Sequence, residues 1–276
     1  MTADAPDTQL IGPATDGRLH VMTYNLRFPA DDPGHLWEER RPVLAQLLAR
    51  ERPGVLGTQE GHFHQIRDIA ADLPAEYEWI GEGRSGGSEG EFMAIFYDAT
   101  RLTPLRYAHL WLSETPQLIG STTWGNGFPR MATWVRFSDQ DTGSEFVVVN
   151  THLDNHSAPS RFRSAGLLAD LVGSFAGLPV LVTGDFNAAA EDSEAYQRLV
   201  TETELSDAWL EAKDQRTPAY ATFAGYEPPT VRGARIDWIL TTPGVTAEVA
   251  AINPFAVDGA FASDHLPVQV LLRLPG

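Results

Sequence analysis

The chain contains no cysteine. Disulfides, thiolate nucleophiles and zinc–thiolate sites are therefore excluded. This absence does not choose a compartment, because a secreted protein can also lack cysteine. Basic residues are scarce beside acidic ones: 20 Arg and Lys face 37 Asp and Glu, a formal net charge of −17. Proteins that bind nucleic acid draw much of their affinity from neutralised phosphates, and an acidic surface repels polyanions at long range. The charge counts against a long duplex partner, though not against a small phosphorylated ligand reached through a metal ion. No run reaches the roughly 18 apolar residues that a membrane span requires. The stretch from Met1 to His20 is polar and acidic, with no apolar core of a secretory signal. A soluble cytoplasmic protein is expected, its oligomeric state left open.

With 276 residues, 43% of them hydrophobic, the chain fits one large α/β domain better than two small ones. Residues 1–17, rich in Asp, Pro, Thr and Gly, read as a disordered lead before a single domain over 18–276. His20 to Asn25 alternates like a strand. Trp37 to Arg50 carries Leu44, Leu47 and Leu48 at helical spacing; Pro53-Gly54 closes that helix and Val55 to Thr58 reads as the next strand. A second helix is expected over His64–Leu73, a Gly/Ser-rich loop over 82–90, and a strand over Phe92–Tyr97. Met131–Phe137 and Phe146–Asn150 look like a strand pair. Helices are expected at Arg161–Phe175 and Ser193–Thr201, and strands at Pro179–Thr183, Ile236–Thr241 and Leu266–Leu272. Strands outnumber helices, and a two-sheet α/β sandwich accommodates this better than one doubly wound sheet.

The chemistry-bearing residues cluster at the ends of the apolar strands. Asp185 and Asn187 follow Val180-Leu181-Val182-Thr183-Gly184, and side chains at i and i+2 can point the same way; a turn cap is the equally available reading. Glu60 ends Val55-Leu56-Gly57-Thr58-Gln59, and Asn25 ends Met22-Thr23-Tyr24. Carboxylate and amide oxygens suit a hard cation such as Mg²⁺ or Mn²⁺. His152 and His265 each lie beside an apolar strand with an Asp or Asn nearby. Asp237 sits inside the apolar run Ile236–Leu240, where an unpaired carboxylate is costly; an imidazole or a neighbouring arginine must partner it. Arg130 and Arg161 are phosphate candidates, since guanidinium recognises phosphate bidentately. Trp124 and Phe128, in a Gly/Asn loop, are candidates for the mouth of a substrate site, with packing as the alternative.

Taken in order, Asn25, Gln59-Glu60, Thr151-His152, Gly184-Asp185-Phe186-Asn187, Ile236-Asp237 and Ser263-Asp264-His265 form a set that resembles the endonuclease/exonuclease/phosphatase superfamily. The resemblance runs from about Leu19 to Leu274. It implies a four-layer α/β sandwich, with two packed mixed β-sheets flanked by helices, and a Mg²⁺- or Mn²⁺-dependent phosphoesterase that uses water as nucleophile. It assigns Asn25, Glu60 and Asp264 to the metal. Asp185 and Asn187 fall to the attacking water, and His152 and His265 to the phosphoryl oxygens. Asp237 orients His265, Glu91 partners His152, and Arg130 contacts phosphate. The tyrosine that abasic-site enzymes carry is replaced by His152, and the Tyr-Arg that follows the Gly-Asp-x-Asn motif of inositol 5-phosphatases is replaced by Ala188-Ala189. Gly-Asp-Phe-Asn-Ala is more similar to the nocturnin/deadenylase branch and to small bacterial relatives. A small or nucleotide-like phosphorylated substrate is the leading expectation. The alternatives are a Mg²⁺-dependent nuclease and a non-catalytic module that senses a phosphorylated ligand.

Overall fold

A computed structural model describes residues 9–175 and 177–275. In chain order the elements are β1 (Arg18–Asn25), α1 (Trp37–Glu51), β2 (Val55–Gln59), α2 (Phe63–Asp72), β3 (Tyr77–Ile80), β4 (Ile95–Asp98), β5 (Leu102–Trp111), β6 (Met131–Asp139), β7 (Glu145–His152), α3 (Ala158–Gly173), β8 (Val180–Asp185), α4 (Glu194–Tyr196), β9 (Ser206–Asp207), α5 (Ala208–Glu211), β10 (Asp214–Gln215), β11 (Asp237–Thr241), β12 (Thr246–Ile252) and β13 (Val268–Arg273). They build one sheet in the order β10-β12-β13-β1-β2-β4-β3 and a second in the order β5-β6-β7-β8-β11-β9. Both sheets are mixed: β1 with β2 and β7 with β8 are parallel, while β1 with β13 and β8 with β11 are antiparallel.

Alternation along the strands explains the layering. In a strand, successive side chains face opposite sides. Leu19 and Val21 of β1, Val55 of β2, Phe146 and Val148 of β7, Leu181 of β8 and Ile239 of β11 meet in the core between the sheets. Their neighbours Met22, Tyr24 and Leu56 face outward, where Leu44, Leu47 and Leu48 of α1 and Ile66 and Ile69 of α2 cover them. On the other side, Val147, Val149, Val180 and Val182 pack under Ala165 and Leu168 of α3. The central strands are buried on both faces, which is why they read as continuous apolar runs. Local chemistry fixes α3: the Ser157 hydroxyl accepts the Ser160 N–H at 3.2 Å, and Pro159 occupies the first turn.

The inward-facing series turns polar at one end. Beyond Val21 come Thr23 and Asn25; beyond Val55 come Gly57 and Gln59; beyond Val148 come Asn150 and His152; beyond Leu181 come Thr183 and Asp185. Asn150 ties the sheets together there. Its Nδ2 donates to the carbonyls of Thr58 at 2.8 Å and Ala94 at 2.9 Å. Its Oδ1 accepts from Gln59 Nε2 at 2.7 Å and from Thr183 Oγ1 at 3.1 Å. Gly57 is required at this crossing: a Cβ would stand 2.4 Å from Thr183 Oγ1 and 2.7 Å from Asn150 Oδ1.

Several expectations need correction. The disordered lead was drawn to residue 17, and residues 1–8 of it lie outside the described residues. From Leu10 onward the chain is tied down, because the N–H groups of Leu10, Ile11 and Gly12 all donate to the buried carboxylate of Glu51, at 2.8, 3.0 and 3.0 Å. A fully buried charge demands such partners. The helix expected over Ser193–Thr201 is one α turn followed by a π-helical turn, Gln197–Thr201. Strands β3, β5 and β12 had no sequence expectation. β5 is an edge strand with Pro104 beside a register shift and mostly half-exposed residues, and β12 is alanine-rich, so neither shows a clean alternation. Among the described residues no helix is long and apolar enough to cross a membrane.

Replacing Asn150 by leucine keeps the volume and removes every inter-sheet hydrogen bond it makes. Each buried group left without a partner costs about 1–3 kcal/mol, so Asn150→Leu is expected to lose about 3 kcal/mol or more in urea unfolding. A loss below about 1 kcal/mol would show that the sheets are not held here.

Candidate active site

Sheet register decides which side chains meet. His152 ends β7 opposite Asp185 at the end of β8, and Asp237 opens β11 on the other side of Asp185. Asp185 is therefore flanked across the sheet by an imidazole and a second carboxylate. The facing sheet contributes Asn25 from the end of β1 and Glu60 just past the end of β2, while His265 and Asp264 arrive on the segment that enters β13. Glu60 has φ 62° and Asn187 has φ 48°. These left-handed conformations are costly for residues other than glycine, though asparagine tolerates them. Each turns a group back toward the cluster: the Glu60 carboxylate accepts from Asn25 Nδ2 at 3.1 Å and from Phe28 N at 3.0 Å, and the Asn187 backbone N–H donates to Asp185 Oδ1 at 2.8 Å.

Asp185 is almost fully buried. Its Oδ2 accepts from Asn25 Nδ2 at 2.9 Å and lies 3.4 Å from His152 Nε2 and 3.8 Å from His265 Nε2. Burial, reinforced by the nearby Asp237 charge, raises its carboxyl to about 7. The two imidazoles diverge. Burial disfavours charge on His265, yet the carboxylates of Asp237, at 2.9 Å from Nδ1, and of Asp185 outweigh it and raise this histidine to about 10. Burial and then the charge of Arg130 drive His152 well below the ordinary histidine range. At neutral pH Asp185 thus stands between one charged and one neutral imidazole. Environments that push neighbouring titratable groups apart in this way mark acid–base pairs.

Most of the expected residues converge. Arg130 Nη1 lies 3.1 Å from His152 Nδ1, and its Nη2 donates to Asn155 Oδ1 at 2.9 Å. Asn187 Nδ2 lies 3.0 Å from His152 Nε2 and donates to the Leu153 carbonyl. Asp264 is held by Ser263 Oγ at 3.2 Å and faces Arg27 Nε at 3.8 Å; burial raises its carboxyl above the usual carboxylate range.

Other assignments are altered by the geometry. Glu91 lies 3.9 Å from His152 Nδ1 but is claimed by Arg84 at 2.6 Å, so it reaches the imidazole at longer range than an orienting acid would. Trp124 is not drawn into the cluster: its Nε1 donates to Glu114 at 3.2 Å and Arg163 lies over its ring, which anchors it toward α3. Arg161 spends Nη1 on the Asp154 carbonyl. Asn25 directs its NH₂ at Glu60 and Asp185 and its Oδ1 at the Arg27 N–H, 2.9 Å away, because two carboxylates attract the donor side of an amide. Arg84 and Arg27 had no sequence expectation. Each stands in a loop without periodicity, where no spacing rule applies.

A divalent cation fits this donor set. Glu60, His152 and Asp185 offer atoms within 4.8 Å of one another, as do Asp185, Asp237 and His265. The oxygens of Glu60 and Asp185 converge on a single amide NH₂, and no Lys or Arg side chain is hydrogen-bonded to either among the described residues. Carboxylate oxygens that no Lys or Arg side chain engages suit a hard cation such as Mg²⁺ or Mn²⁺.

The family model described as Endonuclease/Exonuclease/phosphatase family matches residues 22–265. A family protein of known structure from Bacteroides thetaiotaomicron superposes with a TM-score of 0.87 at 31% identity, covering 94% of this chain and 98% of that one. The mannosyl-6-phosphatase of the same organism superposes with a TM-score of 0.85 at 32% identity, over 92% and 99% of the two chains. Human nocturnin is 24% identical over 249 residues, which cover 80% of this chain and 55% of nocturnin. The chain spans less than two thirds of the length of the curated relatives it matches.

The raised pKa of His265 carries a sign. Its folded value lies above the unfolded value of about 6.5, so its contribution to stability is full below that pH and is lost as pH rises through about 10. In metal-free protein, NMR should find the His265 ring still protonated at pH 8. Asp237→Asn should lower its titration midpoint by about one unit or more. An unchanged midpoint would remove Asp237 as the source of the shift.

Proposed function

We propose that this chain, which belongs to the Endonuclease/Exonuclease/phosphatase family, is a hydrolase that cleaves a small phosphorylated substrate by in-line attack of water, with Mg²⁺ or Mn²⁺ as cofactor. The observation that carries this reading is the setting of buried Asp185, whose Oδ2 lies 3.4 Å from His152 Nε2 and 3.8 Å from His265 Nε2, the latter ring held by Asp237.

Burial raises the Asp185 carboxyl in the metal-free protein, and the oxygen turned toward the imidazoles is placed to take a proton from water. The Asn187 N–H fixes one of its oxygens, leaving the other turned toward the two imidazoles. His265 is held through Nδ1 by Asp237 and can donate from Nε2 to a non-bridging phosphoryl oxygen as charge builds in the transition state. Arg130 keeps His152 in place and adds positive charge beside it. Glu60, with Asp185 and Asp264 alongside, would hold the metal. When bound, the ion supplies polarisation of a phosphoryl oxygen and stabilisation of the leaving oxygen. The net charge of −17 supports a small substrate over a long nucleic acid. So does the likeness to a protein described as a mannosyl-6-phosphatase.

Hydrolysis of a panel of sugar phosphates, nucleotides and aryl phosphates is expected to require Mg²⁺ or Mn²⁺ and to stop with EDTA. Asp185→Asn and His265→Ala should each lower kcat about 10³-fold, within the range for losing a positioned acid or base, while circular dichroism shows an intact fold. Substantial turnover by folded Asp185→Asn would remove it as the base. Efficient cleavage of duplex DNA with none of the small esters would overturn the substrate reading.

A further inference from the structure

Arg84 has no part in the mechanism above, yet its setting is built. Its loop is cross-tied: Arg84 N donates to the Glu91 carbonyl at 2.9 Å, Ser85 N to Glu89 at 3.1 Å and Gly83 N to Gly87 at 2.9 Å. Gly86, Gly87 and Gly90 take φ values of 97°, 56° and 81°, which glycine adopts freely. From the far side, the indole of buried Trp111 donates to the Arg84 carbonyl at 2.7 Å. The main chain that carries this guanidinium is thus fixed from two directions.

The guanidinium stands one carboxylate away from the catalytic cluster. Its Nη1 lies 2.6 Å from Glu91 Oε2, and the same oxygen lies 3.9 Å from His152 Nδ1. His152 Nε2 is in turn 3.4 Å from Asp185 Oδ2. Arg84 Cζ lies 4.9 Å from the centroid of the Phe128 ring, which is 52% exposed. A ring against the guanidinium leaves its N–H edge available for in-plane hydrogen bonds. Among the described residues that edge makes one side-chain hydrogen bond, to Glu91, although a guanidinium offers five N–H donors. Arg130 differs: it is engaged by His152 and Asn155 and faces Asp154 at 3.6 Å.

We propose that Arg84, beside Arg130, is a specificity-determining residue that takes the unesterified oxygens of a phosphate monoester, so that monoesters are favoured over diesters. This rests on the phosphoesterase reading above. A monoester carries close to two negative charges at pH 7 and three terminal oxygens, whereas a diester carries one charge and two such oxygens. A planar fork fixed in place matches the paired oxygens of the first and gains less from the second.

The test compares wild type, Arg84→Met and Arg84→Lys on p-nitrophenyl phosphate and bis-p-nitrophenyl phosphate, with inhibition by inorganic phosphate measured alongside. Arg84→Met should lower kcat/KM for the monoester at least tenfold, mainly through KM, and change the diester by less than threefold. The inhibition constant of phosphate should rise by a similar factor, and Arg84→Lys should recover part of each loss. Equal losses on both esters, an unchanged phosphate constant or a wild-type preference for the diester would overturn the assignment. Should Arg84→Met not fold, Arg84→Lys alone decides, with an intermediate monoester-selective loss in support and none against. If wild type hydrolyses neither ester and no sugar phosphate or nucleotide either, the phosphoesterase reading fails. Calorimetric titration of inorganic phosphate then judges the subsite separately: tenfold weaker binding to Arg84→Met supports it, and equal binding overturns it.

Discussion

The structure depends on one change of chemistry along a single set of surfaces. The faces of β1, β2, β7 and β8 that pack the two sheets together are apolar for most of their length and polar at one end. An apolar interior needs no partners, but buried polar groups need hydrogen bonds. Asn150 does most of that at the crossover. It closes the carbonyls of Thr58 and Ala94 and the side chains of Gln59 and Thr183 into one bracket, and Gly57 provides the space for it. Beyond this bracket Asn25, His152 and Asp185 emerge on the same faces, at positions that strand register sets. The site therefore inherits the rigidity of the core beneath it, as a preorganised site requires.

Crowding acids at that rim sets the electrostatics. Asp185 and Asp237 are both buried, at neighbouring ends of paired strands, and among the described residues only His265 supplies a nearby cation to both. The outcome is a division of roles imposed by position. His265 faces two carboxylates and is charged; His152 faces Arg130 and is neutral. Two imidazoles that would behave alike in water are separated because the acids around His265 outweigh its burial, whereas burial and the Arg130 charge act in the same direction on His152.

Much of this was legible in the sequence, for a physical reason. Asp185, Asp237, His152 and His265 each abut a strand apolar enough to be recognised alone, and a carboxylate within such a run demands a partner. What was not legible depends on contacts distant in sequence or on irregular backbone. Asn150 looked like the end of a strand; its role appears only when β2 from the other sheet lies against it. Arg84 is one arginine in a glycine-rich loop, and nothing local says that Trp111 and Phe128 fix it. Residues 10–12 looked disordered because their order comes from Glu51, some 40 positions away. Trp124, an aromatic in a Gly/Asn loop, was open to a binding edge or to packing, and its indole donates to Glu114.

The acidity of the whole chain and a site for phosphate are compatible once local pairing is considered. Several cations near the cluster have an acid beside them: His265 has Asp237, Arg84 has Glu91, Arg130 has Asp154, and Arg27 has Asp32 and Asp264. Paired charges cancel within a Debye length of about 8–10 Å, so the protein side chains alone give the cleft little long-range attraction for an anion. Glu60 and Asp185 then make the immediate neighbourhood of the attack unfavourable for phosphate. A divalent ion reverses that sign where it matters. On the proposed reading, metal and phosphorylated substrate therefore favour each other's binding, and an ester reaches Asp185 only where the acids around it are already neutralised.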